Sequence, residues 1–359
     1  MTQTTHSEFN RQTEALEVAK AFSEGIRGKT ILVTGANTDG LGYATCEAFA
    51  SQAPAHIIVA SRTPAKIQAC IDKLKAEYPN VDYRPLVVDL SSQKSVRKAA
   101  AEVLSWEDVP TIDIVMNSAG VMAIPERTLS EDGIEMHFAT NHIGHFLLTC
   151  LLMPKLIKAS EKNPKGATRI INVSSGSPQS ANMRWSDMNF EKKNKDLPED
   201  EQPNYELLER WGYKDLPEQK YVGLEGYNIS KISNVLFGIE VNRRLYDKYG
   251  IFSIAVHPGV IFTELGRNFP PEVMSAMEKM LRSGQYPIKT LGQGAATGLV
   301  AALDPKLGPG GPKNGLENSG VLMQNCQITD DIRPASASNG AAARLWKLSE
   351  ELVHEKFDW

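Results

Sequence analysis

Short runs rich in Val and Ile alternate with helix-compatible stretches along this chain, and that alternation constrains its fold more than any other feature. KTILVTGA (29–36) opens into a glycine-rich turn and then LGYATCEAFASQ. HIIVASR (56–62) is followed by Thr63 and Pro64, which suit the N-cap and first turn of a helix. VDYRPLVVDL, SSQKSVRKAAAEVL and IDIVMNSAG repeat the pattern, and TRIINVSS (168–175), IFSIAVHPG (251–259) and SGVLMQNC (319–326) are further strands. Long helical segments are expected at 133–160 and 227–249, and AAARLWKLSEELVHEKF forms a final amphipathic helix. Nearly continuous apolar strands alternating with helices predict an α/β fold of the Rossmann type, a doubly wound parallel sheet covered on both faces.

One catalytic domain is expected over 29–359, preceded by an N-terminal helical extension, 1–28. Within the extension, Glu8 to Phe22 reads as a docking helix, with Thr13 as a candidate N-cap. Two segments break the rhythm. Residues 178–226 are polar but carry Trp185, Phe190, Tyr205, Trp211 and Tyr221; residues 262–290 contain the amphipathic stretch PPEVMSAMEKML. Both follow the carboxyl ends of strands, where open α/β sheets bind ligands, so the second is expected to be a substrate lid. The first is either a lid or a surface insertion.

A net charge of −4 gives no reason to expect nucleic acid as a partner. The N-terminus lacks an apolar signal core, and the longest apolar run, FLLTCLLM, is too short to span a bilayer. Cys46, Cys70, Cys150 and Cys326 are scattered and form no C-x-x-C pair, which suits reduced thiols in a cytoplasmic protein. His142 and His145 have no third ligand at a suitable spacing, so no metal site is expected and both histidines read as structural.

The turn after the first strand is T-G-A-N-T-D-G-L-G, with Gly35, Gly40 and Gly42 spaced Gly-x-x-x-x-Gly-x-Gly. Placed between a strand and a helix, it lets bare backbone approach a pyrophosphate at a helix N-terminus. At the end of the second strand an acid would hold a ribose 2′-OH, whereas this chain has Arg62, suited to a 2′-phosphate. NADP(H) is therefore favoured over NAD(H), although Asp39 inside the turn would repel a phosphate if it pointed inward.

These motifs, with those that follow them, resemble the short-chain dehydrogenase/reductase family over almost the whole chain. Thr34–Gly42 is similar to its cofactor loop, Asp89-Leu90 to its adenine-contacting pair, and Asn117-Ser118-Ala119-Gly120 to its N-N-A-G motif with Ser118 replacing the second Asn. Ser175 ends the fifth strand, Tyr227 and Lys231 form a Tyr-x-x-x-Lys pair, and His257-Pro258-Gly259 resembles the turn beside the nicotinamide. DGIEMHFATN, NHIGHFLLT and LWKLSEEL look like the retinol dehydrogenase and WW-domain oxidoreductase branch.

The resemblance implies that Asn141, Ser175, Tyr227 and Lys231 are catalytic. It also implies cofactor contacts from Gly35, Asn37, Thr38, Gly40, Leu41, Gly42, Arg62, Asp89, Leu90, Asn117, Ala119, Gly120, Tyr227, Lys231, Pro258, Gly259, Val260 and Thr263. Tyr227 would be the general acid/base, with a phenol lowered from its usual value near 10 by the Lys231 ammonium and the oxidised nicotinamide. Ser175 would bind the substrate oxygen, Lys231 the ribose hydroxyls, and Asn141 a water that relays protons to Lys231. About fifty residues separate Ser175 from Tyr227, far more than is usual in the family, so 178–226 must loop out and return both to one site. The expected activity is NADPH-dependent reduction of a lipophilic carbonyl compound, polycyclic or a secondary metabolite. Two alternatives remain: a dehydratase, epimerase or cyclase using the same tyrosine, and a non-catalytic NADP-binding interaction protein. Members often dimerise through the helices matching Asn141–Leu156 and Tyr227–Tyr249; here homodimer and monomer are both open.

Overall fold

The structure, a computed structural model, describes residues 4–282, 284 and 287–359. Its centre is an eight-stranded sheet: β1 (Thr30–Thr34), β2 (His56–Ser61), β3 (Asp82–Val87), β4 (Ile114–Asn117), β5 (Thr168–Val173), β6 (Ile251–His257), β7 (Leu322–Gln324) and β8 (Gln327–Thr329). The order is β3-β2-β1-β4-β5-β6-β7-β8, and every pair is parallel except β7–β8. The strand order reverses between β1 and β4, which opens a crevice at their carboxyl ends.

Two helical layers bury the sheet. One face carries α1 (Ala15–Ala21), α2 (Leu41–Ala50), α3 (Pro64–Glu77) and α12 (Leu291–Leu303) over Ile31, Val33, Ile57, Val59 and Ile254. The other carries α4 (Gln93–Ser105), α6 (Gly144–Leu151), α7 (Met153–Ser160), α10 (Gly223–Tyr249) and α13 (Asn339–Val353) over Leu32, Ile58, Val115 and Ile170. Successive residues of β1 thus feed opposite layers, as the two-residue period of a strand requires. The remaining helices are short or peripheral: α5 (Met136–Phe138), α8 (Ser177–Ser180), α9 (Tyr205–Arg210) and α11 (Pro271–Arg282).

Several elements differ from the sequence reading. The segment 133–160 is not one helix: α5 runs into a π-turn, Ala139–Ile143, then α6, and α7 bends away by 58°. Pro154 sits in the first turn of α7 and lacks the N–H that a continuous helix would need. The run SGVLMQNC is a strand only over β7; Asn325 and Cys326 adopt positive φ (51° and 65°) and turn the chain into the unforeseen β8. In the extension, of which residues 1–3 lie outside those described, the helix spans only Ala15–Ala21. Thr13 is not its N-cap: its hydroxyl accepts from the Asn10 N–H at 2.9 Å and tightens the preceding loop. Thr63 does occupy the N-cap of α3, but its side chain makes no capping bond.

The extension lies along the outer face. Thr5 donates its N–H and hydroxyl to the Asp304 carboxylate, both at 2.6 Å, and Gln327 donates to the carbonyls of His6 and Phe9. Among the described residues no single helix is long and apolar enough to cross a membrane.

Candidate active site

The glycine turn is built by close approach. A Cβ on Gly35 would lie 2.6 Å from the Ala119 Cα, and one on Gly42 would lie 2.7 Å from the Gly35 carbonyl oxygen, so both positions admit only glycine without a backbone shift. Gly35 also has φ +74°. Asn37 stiffens the loop, its side-chain oxygen accepting from the Asp39 N–H at 3.3 Å and its carbonyl from Gly40 at 3.0 Å. Thr38 and the exposed Asp39 stay within the turn, Thr38 Oγ1 donating to Asp39 Oδ2 at 3.4 Å. Gly40 and Leu41 begin α2, whose N-cap makes no side-chain bond. Arg62 follows β2, is exposed, and makes no hydrogen bond or ion pair with any described residue.

Other expected cofactor residues are partly committed inside the protein. Asp89 Oδ1 accepts from the N–H and hydroxyl of Ser91, at 3.0 and 2.7 Å, and Leu90 packs against Gly144. Asn117 is buried and donates from Nδ2 to Thr149 Oγ1 and Asn172 Oδ1, at 3.2 and 3.0 Å, so its side chain ties β4 to β5 and α6 rather than lining the crevice. Ala119 and Gly120 remain at the crevice. A Cβ on Gly120 would come within 3.5 Å of Lys231 Nζ and 3.2 Å of Asn141 Oδ1, so the missing side chain keeps a cradle open beside the lysine. Pro258 and Gly259 form a turn with φ +92° at the glycine, Val260 bridges to Ile288, and Thr263 caps the following 3-10 turn, Glu264–Asn268. These features fit a dinucleotide lying across the carboxyl ends of β1 and β4.

Ser175, Tyr227, Lys231 and Asn141 converge despite the insertion. Tyr227 and Lys231 lie one turn apart on α10, and Ser175 stands just beyond β5, close enough to the phenol to act on its acidity. Lys231 Nζ donates to the Val173 carbonyl at 2.8 Å and sits 5.5 Å from the Tyr227 ring centroid. Asn141, within the π-turn, accepts from the Val121 N–H (2.8 Å) and donates to the Val121 carbonyl (2.9 Å) and to Ser230 Oγ (2.9 Å).

In the protein itself, burial dominates the electrostatics of this pair. Burial pushes the Tyr227 phenol up to about 12, with only the Ser175 hydrogen bond pulling it down, while burial lowers the Lys231 ammonium to about 8. The ammonium points at a backbone carbonyl, so desolvation outweighs its pull on the phenol. Tyr227 is therefore a protonated acid at neutral pH.

The histidines do more than fill space. Nδ1–H of His145 donates to the Asn141 carbonyl at 2.9 Å, which leaves Nε2 to accept the Thr34 hydroxyl at 2.8 Å. Thr34 Oγ1 in turn accepts from the N–H groups of Ser118 and Ala119, at 2.9 and 3.0 Å. A neutral ring thus couples the end of β1 to Asn141. The histidine was visible in NHIGH, four residues after Asn141, but its other partner, Thr34, is 111 residues away in sequence.

Burial holds His142 at about 3, and His145 and His257 at about 4. Unfolded, each would take a proton near 6.5, so the stability they support is present above pH 6.5 and is lost as pH falls towards 4. Glu225, raised by burial to about 7, acts oppositely: its share is full below the ordinary carboxylate value and is lost as pH rises through 7. Between pH 6.5 and 4.5 the three histidines outweigh that one acid. The free energy of urea unfolding is expected to fall steeply across this window, by several kcal/mol at about 1.4 kcal/mol per unit and proton, and the midpoint with it. A flat midpoint from pH 7 to 5 would contradict buried, neutral histidines.

The insertion is folded in two parts. In the first, buried Arg184 bonds Asp187 Oδ2 (2.7 Å), Asn194 Oδ1 (2.5 Å) and the Lys192 carbonyl (2.7 Å), with its guanidinium over Phe190. In the second, Leu208, Leu216, Val222 and Leu224 cluster with Tyr227, and Met122, Tyr205, Trp211, Tyr213 and Phe269 pack against them. Trp211 stacks with Phe269, joining the insertion to 262–290, of which residues 283, 285 and 286 lie outside those described. A separate open cavity of about 670 Å³ lies between Arg210, Gly212 and Lys214 and the α11 residues Pro271, Ser275 and Lys279; Asn141, Ser175, Tyr227 and Lys231 do not line it.

The sequence model of the short chain dehydrogenase family matches residues 29–187. An oxidoreductase of Fusarium equiseti, fscI, is 37% identical over 252 residues, 70% of this chain and 94% of its own length. Human retinol dehydrogenase 12 is 32% identical over 346 residues, 94% of this chain and 93% of its own. The chain belongs to the short-chain dehydrogenase family. Within that family it falls in the retinol dehydrogenase-like branch, as relatives named WW domain-containing oxidoreductase, matched over 98% of the chain, also indicate. A solved protein from Mycobacterium paratuberculosis shares the fold with a TM-score of 0.62 and 25% identity, over 93% of this chain and 96% of its own. As a short-chain dehydrogenase the chain is an oxidoreductase by family.

Proposed function

We propose that the protein is an NADPH-dependent reductase of lipophilic ketones or aldehydes. The observation that carries this reading is Tyr227 buried in an apolar cluster, one helical turn from a buried Lys231 and at the end of the strand that leads to Ser175. A protonated tyrosine is the form that gives a proton to a developing alkoxide. The bound cofactor would supply the hydride. Tyr227 would deliver the phenolic proton to the oxygen, yielding the alcohol, while Ser175 hydrogen-bonds that oxygen. Lys231, beside the Gly120 cradle, would hold the ribose hydroxyls and favour the phenolate left behind. Asn141 would keep the Val121 backbone and the π-turn in register beneath them.

A lipophilic substrate is supported by the aromatic roof over Tyr227 and by exposed Phe262 and Ile288 on the lid segment. NADPH is supported by the unpaired, exposed Arg62 and by the absence of an acid at that strand end. Thermal unfolding tests the cofactor first. A ligand at about 100 times its Kd adds roughly 2.7 kcal/mol, so NADPH should raise the transition clearly and NADH much less. Arg62→Glu should reverse that order. A larger shift with NADH in the unmodified protein would overturn the NADPH assignment, and Asp39 would then be the determinant.

A further inference from the structure

A buried carboxyl stands at the end of a chain of polar side chains leading to Ser175. Glu225, fully buried two residues before Tyr227, accepts from Asn228 Nδ2 at 3.1 Å. Asn228 Oδ1 accepts the Ser177 hydroxyl at 2.8 Å, and Ser177 Oγ lies 2.6 Å from Ser175 Oγ. Ser177 and Asn228 are themselves buried, so no bulk water competes for these bonds.

We propose that Glu225 is a positioning residue: through Asn228 and Ser177, its carboxyl decides whether the single hydroxyl hydrogen of Ser175 points into the protein or towards the substrate oxygen. A carboxylate only accepts, so it fixes the Asn228 amide with Nδ2 towards itself and Oδ1 towards Ser177. Ser177 then spends its one hydrogen on Asn228. At the 2.6 Å contact the donor must therefore be Ser175, whose hydrogen is withdrawn from the substrate. A carboxylic acid reverses the chain. Its O–H donates to Asn228 Oδ1 after one amide flip, Nδ2 donates to Ser177, Ser177 donates to Ser175, and the Ser175 hydrogen is released to a carbonyl oxygen. No bond is made or broken beyond the proton on Glu225.

The surroundings keep both states within reach. Burial pushes Glu225 up to about 7, opposed by the Asn228 hydrogen bond and the Arg184 charge. From the insertion, Arg184 is already matched by Asp187, and Tyr205 is the other titratable neighbour. On the same helix Tyr227 and Lys231 follow, and the Glu135–His137 pair lies beside Gly226, bonded to itself at 2.7 Å.

The kinetic arm of the test rests on the carbonyl-reductase reading; the spectroscopic arm does not. In protein labelled with 15N at asparagine, the Asn228 side-chain amide resonances, assigned by their loss in Asn228→Ala, should move with a midpoint near pH 7. They should stay fixed in Glu225→Gln, whose amide can donate as the acid does. In infrared pH-difference spectra the unmodified protein should gain a protonated-carboxyl band below that midpoint, which Glu225→Gln lacks. With 9,10-phenanthrenequinone and NADPH, single-turnover rates should fall about tenfold as pH rises through 7, the equivalent of one hydrogen bond to developing charge, with KM unmoved. Glu225→Gln and Ser177→Ala should each lose that limb and hold the low-pH rate. A merely structural role would lower the unfolding midpoint and leave the limb in place, and that result overturns the proposal. So does an Asn228 resonance that ignores pH. A protein inert towards the quinone, with both spectroscopic titrations present, counts against the reductase reading and still supports the Glu225–Asn228 link.

Discussion

Replacing Tyr227 by phenylalanine is expected to lower turnover by at least about 100-fold, the lower range for loss of a general acid. The substitution removes one oxygen from a residue packed among Leu208, Leu216, Val222 and Leu224, so the cluster itself keeps its shape. Thermal stabilisation by NADPH should persist, because the glycine turn and Lys231 are untouched. The two measurements separate chemistry from binding. Loss of both would mean that the phenylalanine had disturbed the crevice, and turnover at the unmodified rate would remove Tyr227 from the mechanism. Since burial alone carries the phenol to about 12, the rate of the unmodified enzyme should not rise through an ionisation of Tyr227 between pH 6 and 9.

Arg184→Met is expected to cost about 3–5 kcal/mol, the range for breaking a buried ion pair by removing one partner. The arginine is 1% exposed and its substitution strands the Asp187 carboxylate, which also accepts from the N–H groups of Glu191 and Lys192 at 2.8 and 2.9 Å. Asn194 would lose its Oδ1 partner while its N–H and Nδ2 still bind the Gln219 and Leu216 carbonyls, the link between the two parts of the insertion. Chemical unfolding would report the cost, and limited proteolysis should cut within 178–226 before the rest of the chain. Activity should fall with it, because Val222 and Leu224 run directly into Tyr227. A variant as stable and as protease-resistant as the parent would show that Arg184 only decorates the segment.

The parallel strands were legible because each is a dense apolar run, and a two-layered sheet leaves such runs no alternative. Tyr227 stood out only through order: Tyr-x-x-x-Lys gained meaning from Ser175 before it and the glycine turn far upstream. What escaped reading depended on contacts with no local signature. The π-turn at Ala139–Ile143 has ordinary helical residues, and its extra residue is visible only in the Gly144 N–H reaching back to the Ala139 carbonyl. Glu225 looked like one more charge on a polar stretch, since nothing in its neighbours announces that Arg184 and Tyr205 will close over it. The desolvation that raises the phenol is equally hidden, because it depends on what the insertion covers. Asn117 was assigned to the cofactor by its motif, yet its side chain turned out to join three elements of the core.

The long segments that surround the reacting groups hang from β5 and β6, whereas the glycine turn, Arg62 and Asp89 belong to β1, β2 and β3. Variation in the roof therefore need not touch the nucleotide half. Segment 178–226 carries its own polar core around Arg184, so it can be treated as a cassette: exchanged as a block between related chains, from Pro178 to Val222, it should transplant substrate preference while the recipient keeps its coenzyme. Piecemeal grafting of single aromatic residues would lack the Arg184 scaffold that sets their angles. In this layout the walls around Tyr227 and the nucleotide turn hang from different strands, so one half can be rebuilt while the other is left alone.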